Sequence, residues 1–265
     1  GSRFSKADKR LFGCSADSTR GAIFLDSCMA YLVDGGGLKE VGIFRIAGSL
    51  TTMNEVKKAL QTGKKQGFCE PDDPHVVASL MKVFLREMQE PCIVFDLYPA
   101  FIEAMRIEDS TSQLDMLKQL LPSLPLANLH CLSRVTGFLK LVSEFEEFNR
   151  MPAKNLAIVF APNLLRPRVD TPETIIADAR FITEAVTLMI ENHPLLFENI
   201  TDLVLGIEGT FAARPPPAER PHRTVVETSI ALHTPPPGRA CLADLANRMA
   251  EKGQPGGKHE WGEGE

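Results

Sequence analysis

The stretch Asp73-Pro74-His75-Val76-Val77-Ala78-Ser79-Leu80-Met81-Lys82-Val83-Phe84-Leu85-Arg86-Glu87-Met88-Gln89-Glu90-Pro91 reads as one amphipathic helix with both ends marked. The Asp73 carboxylate suits an N-cap, where it accepts an orphan backbone N–H, and Pro74 has no N–H to leave unpaired at the first helical position. Val77, Leu80, Phe84, Leu85 and Met88 recur at helical spacing on the core side, and Pro91 stops the run. Lys82 and Arg86 stand four residues apart, so they project together from the other face.

The same pattern extends in both directions. Phe24, Cys28 and Tyr31 share a helix face that ends at Asp34 and Gly35-Gly36-Gly37. Ser49 suits an N-cap for a helix carrying Met53, Val56 and Leu60. Beyond Pro91 the spacing predicts helices over Tyr98 to Met105, through Leu114, Leu117 and Leu121, and from about Leu126 to Phe148. Pro152 and Pro162 bracket a short apolar helix, Ala153 to Ala161. Thr171-Pro172 caps a last long helix with Ile175, Ala179, Ile182, Val186 and Met189 in register, ended by His193-Pro194. Hairpin signals of the Asn-Gly type are absent. The expected fold class is all-α, a helical bundle made mainly antiparallel by its short connections.

Composition sets outer bounds. The 265 residues are enough for one large domain or two small ones, and a net charge of −5 argues against a general nucleic-acid binder. No run approaches the ~18 apolar residues that would cross a membrane, and no secretory signal opens the chain. The six cysteines (Cys14, Cys28, Cys69, Cys92, Cys131, Cys241) form no Cys-x-x-Cys pair, which fits a reducing compartment and buried, inert thiols. The histidines are dispersed without His-Glu-x-x-His, so no metal site is expected. Gly1-Ser2 resembles a cleavage scar, so the chain reads as an excised piece of a longer, cytoplasmic protein.

Composition shifts near residue 206. The last 60 residues hold eight prolines and eight glycines but only eight Leu, Ile, Val and Phe together. That is too little apolar surface to offset chain entropy, and it predicts a flexible tail. Leu242 to Met249 could form a helical turn or two, marginal alone, and the single tryptophan, Trp261, falls in the tail rather than the core. Arg214-Pro215-Pro216-Pro217 and Pro235-Pro236-Pro237 suggest polyproline II, yet they lack the spacings of SH3 or WW ligands, so tail partners are unsupported. The domain reading is residues 1–10 as a lead-in, 11–205 as the helical domain and 206–265 as tail.

The chemistry concentrates in Gly42-Ile43-Phe44-Arg45-Ile46-Ala47-Gly48-Ser49. A nucleotide-binding P-loop is excluded, because the glycine spacing is one residue too long, the lysine is missing and no strand precedes it. Arg45 is instead a long cation held between apolar neighbours and glycines. Two cations on a helix face are ordinarily just solvated. Three features together say more: the Arg45 loop, the Lys82/Arg86 face, and an Asn-bearing turn, Ala161-Pro162-Asn163-Leu164-Leu165, after an apolar helix.

Three blocks in order, Gly-Ile-Phe-Arg-x-x-Gly, Leu80 to Pro91 and Asn155-Leu156-Ala157-Ile158-Val159-Phe160-Ala161-Pro162-Asn163-Leu164, resemble the Rho GTPase-activating protein (RhoGAP) domain. The resemblance runs from Leu11-Phe12-Gly13 to Leu195-Leu196-Phe197, about three quarters of the chain. It implies an all-α RhoGAP-like bundle that binds a GTP-loaded Rho-family small GTPase and accelerates its GTP hydrolysis. Arg45 matches the family's arginine finger, supplied in trans; Lys82 and Arg86 match the docking-face cations, and Asn163 matches the asparagine at the GTPase interface. On this reading the chain is an activator rather than an enzyme, needs no cofactor of its own, and leaves Mg and GTP to its partner, which is Rho, Rac or Cdc-type. The alternative is a catalytically weak scaffold of the same fold.

Two departures stand out. Ile46-Ala47 occupies the place where relatives often carry a hydroxyl residue before the glycine, and the proline common early in the first helix is absent around Gly21-Ala22. The second leaves the start of the first helix open.

Overall fold

A computed structural model of the chain describes residues 10–69, 72–169 and 171–204. The lead-in 1–9, the tail 206–265, the Leu242–Met249 segment, Cys241 and Trp261 lie outside these residues, as does the expected boundary at 205. The description concerns the unit that ends at Leu203.

Among the described residues ten α-helices run in order: α1 (Thr19–Asp34), α2 (Leu50–Thr62), α3 (Pro74–Glu87), α4 (Tyr98–Met105), α5 (Ser110–Leu120), α6 (Leu126–Ser143), α7 (Glu146–Asn149), α8 (Ala153–Leu164), α9 (Pro172–Glu191) and α10 (His193–Val204). Among the described residues the one β-type pairing is an isolated bridge, Ile93 to Leu165. The N-caps follow from the sequence. Ser49, Asp73 and Thr171 each accept a backbone N–H of the helix they open, from Thr52, His75 and Thr174. Ser18 does the same for Gly21 and fixes the start of α1 at Thr19.

The core has two aromatic centres. Phe12, Phe24 and Phe84 meet at centroid distances of 5.0 to 6.1 Å and join the N-terminal lead, α1 and α3. Phe44 meets Phe160 at 4.9 Å and Phe138 at 6.2 Å, both edge-on, and so lays the residue before Arg45 on α8 and α6. Helix α3 packs against α1, α2 and α8, while α8, α4 and α6 all pack on α9. Cys14, Cys28, Cys92 and Cys131 are buried and Cys69 is half-buried. Burial pushes the Cys28 thiol well above its ordinary pKa, which keeps it protonated and unreactive. No described helix is long and apolar enough to cross a membrane.

The structure corrects four expectations. The helix read from Leu126 to Phe148 is two, because the Asn149 side chain donates to the Val142 carbonyl at 2.9 Å and closes the end of α6 before α7 begins. Pro162 lies inside α8 rather than ending it. In the last turn its missing N–H costs one hydrogen bond, and Leu165 N still reaches Ala161 O at 2.9 Å. Asn163 is therefore in a helix, not a turn. Ile175, half exposed, and Ala179 do not enter the core, which α9 joins only from Phe181 onward, through Phe181, Ala185, Val186, Met189 and Ile190. Finally, α9 does end just before His193-Pro194, at Glu191, but it is not the last helix, because His193-Pro194 opens α10, where a proline in the first turn is tolerated.

Candidate functional site

The Arg45 loop begins where α1 is forced to stop. Gly35 caps α1 with its N–H on Tyr31 O at 2.8 Å, and a single 3-10 turn, Gly37–Lys39, leads to Gly42. Gly42 has φ +71°, a left-handed conformation that costs side-chain-bearing residues. Its carbonyl accepts both Arg45 N at 2.9 Å and Ile46 N at 2.8 Å, which winds the loop into a tight turn. At the far end Gly48 lies against α3, where a Cβ would stand 2.5 Å from Val76 N. Its N–H reaches Ser79 Oγ at 3.3 Å.

Between the glycines, Phe44 also adopts a positive φ of +67°, uncommon for a bulky residue. Its ring is fully buried, which fixes the strained backbone from below. Lys82 donates from its ammonium to the Phe44 carbonyl and fixes it from the side. Lys82 is half-buried, and the loss of water lowers its pKa from the ordinary lysine value. Arg45 follows with its side chain exposed. One guanidinium nitrogen, Nη2, lies 3.5 Å from where a Cβ on Gly42 would stand, so the side chain rests over the turn. Val41, Ile46 and Leu50, beside Arg45 in sequence, are exposed apolar residues.

Arg86 lies one turn beyond Lys82 on α3 and is exposed. It does not touch the loop in the way Lys82 does. Its helix end is held by Arg166, whose Nη2 donates to Met88 O at 3.2 Å and to Arg86 O at 3.5 Å. Asn163, near the end of α8, is only 7% exposed and donates to Val159 O at 2.9 Å. The structure thus ties the Arg45 loop and Lys82 together directly, sets Arg86 on the open face of the same helix, and keeps Asn163 largely beneath the surface.

Sequence reasoning missed Asn149. It is fully buried, and its main-chain carbonyl accepts the Gly42 N–H at 2.7 Å. The signal available was an Asn at the helix end just before Arg150-Met151-Pro152, the residue type that most often bonds its own neighbouring backbone. No group of three or more His, Cys, Asp or Glu able to hold a metal occurs among the described residues.

The loop so anchored presents the Arg45 guanidinium on an open face. Comparison with known proteins identifies the family. The family model described as the RhoGAP domain matches residues 22–169. The chain belongs to the RhoGAP domain family. This RhoGAP domain is 36% identical over 170 residues to Rho GTPase-activating protein 24 of Homo sapiens, covering 63% of the chain and 23% of the relative. It is 37% identical over 158 residues to Rho GTPase-activating protein gacN of Dictyostelium discoideum, covering 59% and 26%. The chain therefore spans about a quarter of the length of the curated relatives it matches. Among solved structures, the BH domain from GRAF, the GTPase regulator associated with focal adhesion kinase, superposes with a TM-score of 0.63 at 26% identity, covering 70% of this chain and 98% of that one. Human Rho GTPase activating protein 15 superposes with a TM-score of 0.65 at 24% identity, covering 72% and 93%, a likeness of fold.

Proposed function

We propose that this RhoGAP domain accelerates GTP hydrolysis by a Rho-family small GTPase, with Arg45 as an arginine finger inserted in trans. The observation that carries the reading is the combination of an exposed Arg45 with a loop fixed at Gly42, Phe44 and Gly48. During phosphoryl transfer, charge spreads over the γ-phosphoryl oxygens and the β–γ bridge, and a cation placed there from outside stabilises that distribution where water has been excluded. In a related small-GTPase system such a finger accounts for about 10³–10⁵ in rate. Arginine suits the task because it stays protonated and its planar fork spans two oxygens.

Lys82 acts on the loop by holding the Phe44 carbonyl. Arg86, exposed on the same helix, faces the partner and complements acidic surface there. Asn163 supports the face from below through its bond to Val159 O and exposes only a small part of itself for contact. GTP, Mg and the attacking water belong to the partner, so the chain completes an active site rather than containing one.

The test is single-turnover GTP hydrolysis across a panel of Rho, Rac and Cdc-type GTPases, with catalytic amounts of the domain. Acceleration of at least one, lost in Arg45→Ala with binding of the GTP-analogue form retained, is the expected result. An Arg45→Ala protein that accelerates as well as the parent sinks the reading.

A further inference from the structure

Asn149 is held by more directional contacts than its place on the one-turn helix α7 requires. Its Nδ2 donates to Leu38 O at 2.8 Å, just before the Arg45 loop, and to Val142 O at 2.9 Å at the end of α6. Its Oδ1 accepts the Met151 N–H at 2.7 Å, just before α8. Its main-chain N–H bonds Phe145 O at 3.0 Å, and its main-chain carbonyl accepts Gly42 N. Every polar atom of the residue is thereby used, in a position with no solvent exposure.

The relation to Arg45 is short. Asn149 O accepts the Gly42 N–H, and the Gly42 carbonyl accepts the Arg45 N–H, so two hydrogen bonds through one residue join Asn149 to the Arg45 backbone. The backbone on both sides is unusual. The described non-glycine residues with positive φ are Phe44 at +67° and Arg150 at +61°. One lies two residues beyond Gly42 and the other directly beyond Asn149. Conformations of this kind persist only where surrounding contacts over-determine them. Here the Asn149 side chain is that contact on its side of the bond. Fixed to Leu38, Val142 and Met151, it sets the direction in which its own carbonyl points.

We propose that Asn149 is a positioning residue for Arg45, acting through Gly42 to hold the guanidinium where the transition state requires it. The proposal rests on the reading of Arg45 as the activating arginine. An amide is needed because the site asks for two donations and one acceptance in fixed directions, which neither a carboxylate nor a hydroxyl supplies. A binding role would show in affinity. A positioning role shows in the maximal rate alone, since small displacements of a catalytic group are felt mainly in the transition state.

The experiment compares the parent domain, Asn149→Ala, Arg45→Ala and the double variant in single-turnover GTP hydrolysis, titrating the domain to saturation. Asn149→Ala is expected to lower the maximal rate by about tenfold to a hundredfold. The half-saturating concentration is expected to stay within about twofold, and Asn149→Ala added to Arg45→Ala to change the rate by no more than about twofold. Equal losses in both backgrounds, or a loss of affinity matching the loss of rate, would overturn the proposal in favour of a purely structural role.

A second measurement keeps it testable should Asn149→Ala not fold. In the unsubstituted domain the Gly42 and Arg45 amides are expected to exchange with deuterium as slowly as those of Leu80 to Leu85. Exchange at the rate of an open loop overturns the proposal without any GTPase present. If the parent accelerates no GTPase in the panel, the reading of Arg45 fails on that result, and the exchange measurement still decides whether Asn149 holds the loop.

Discussion

Lys82 is bonded to the residue before Arg45: its ammonium donates to the carbonyl oxygen of Phe44, from a half-buried position on α3. The cation of the helix therefore serves the cation of the loop through backbone, and the two charges do not compete for one anion. Lys82→Met keeps most of the apolar stem and removes the donor. Expected is a fall of about tenfold or more in maximal GTP hydrolysis. Stability should change little, because removing a half-desolvated charge offsets the lost hydrogen bond. Chemical denaturation beside a single-turnover assay checks both halves.

Arg45→Lys separates charge from shape. Lysine keeps the cation but not the planar fork, so the variant is expected to bind the GTPase like the parent and to recover little of the lost rate. Recovery to near the parent rate would show that charge alone suffices.

Gly48→Ala tests the close contact between loop and α3. An added Cβ meets Val76 N at 2.5 Å, and backbone cannot rotate away as a side chain can. Overpacking of this kind costs roughly 1–3 kcal/mol. A lowered denaturation midpoint with a larger fractional loss of activity is expected, since the loop is what must shift.

His193 gives the domain a dependence on acid. Burial lowers its pKa below the ordinary 6.5, only partly offset by its bond to the Ser133 carbonyl at 2.9 Å. Its ring also lies against Gly137 and stacks on Phe197 at 4.9 Å. The unfolded chain thus takes up a proton at a higher pH than the folded one. This contribution to stability is complete above the unfolded pKa and is lost as pH falls through the lower, folded value. Thermal unfolding between about pH 7.5 and 5.5 should fall more steeply for the parent than for His193→Gln.

Much of the fold was legible because its signals are local. Ser49, Asp73 and Thr171 mark helix starts by what their own side chains can accept, and all three do so. The errors arose where a distant contact overrides a local rule. Nothing near Ser143 in sequence says that α6 ends, because the group that closes it is the amide of Asn149, six residues on. Pro162 looks like a stop, yet a helix end packed into the core tolerates one missing bond. Ile175 fits the helical period but has no neighbour to bury it. At the candidate site, Arg45, Lys82, Arg86 and Asn163 stand out in the sequence by residue type and order, and their roles belong to the proposal. The bond that holds Gly42 to the Asn149 carbonyl was not legible, since a backbone acceptor leaves no mark on the amino-acid alphabet.

The positive φ of Phe44 has a consequence for encounter with a partner. Holding a residue in a sparsely populated conformation requires that its neighbours be ordered first, and here they are ordered by the hydrophobic core itself. Fixing a backbone residue costs roughly 1–2 kcal/mol in conformational entropy. For this loop that loss is incurred when the domain folds, not when the partner arrives. On the proposed function, the binding free energy gained at docking is then left to favour the reacting geometry, and the chain meets each successive GTPase molecule in the same state of readiness.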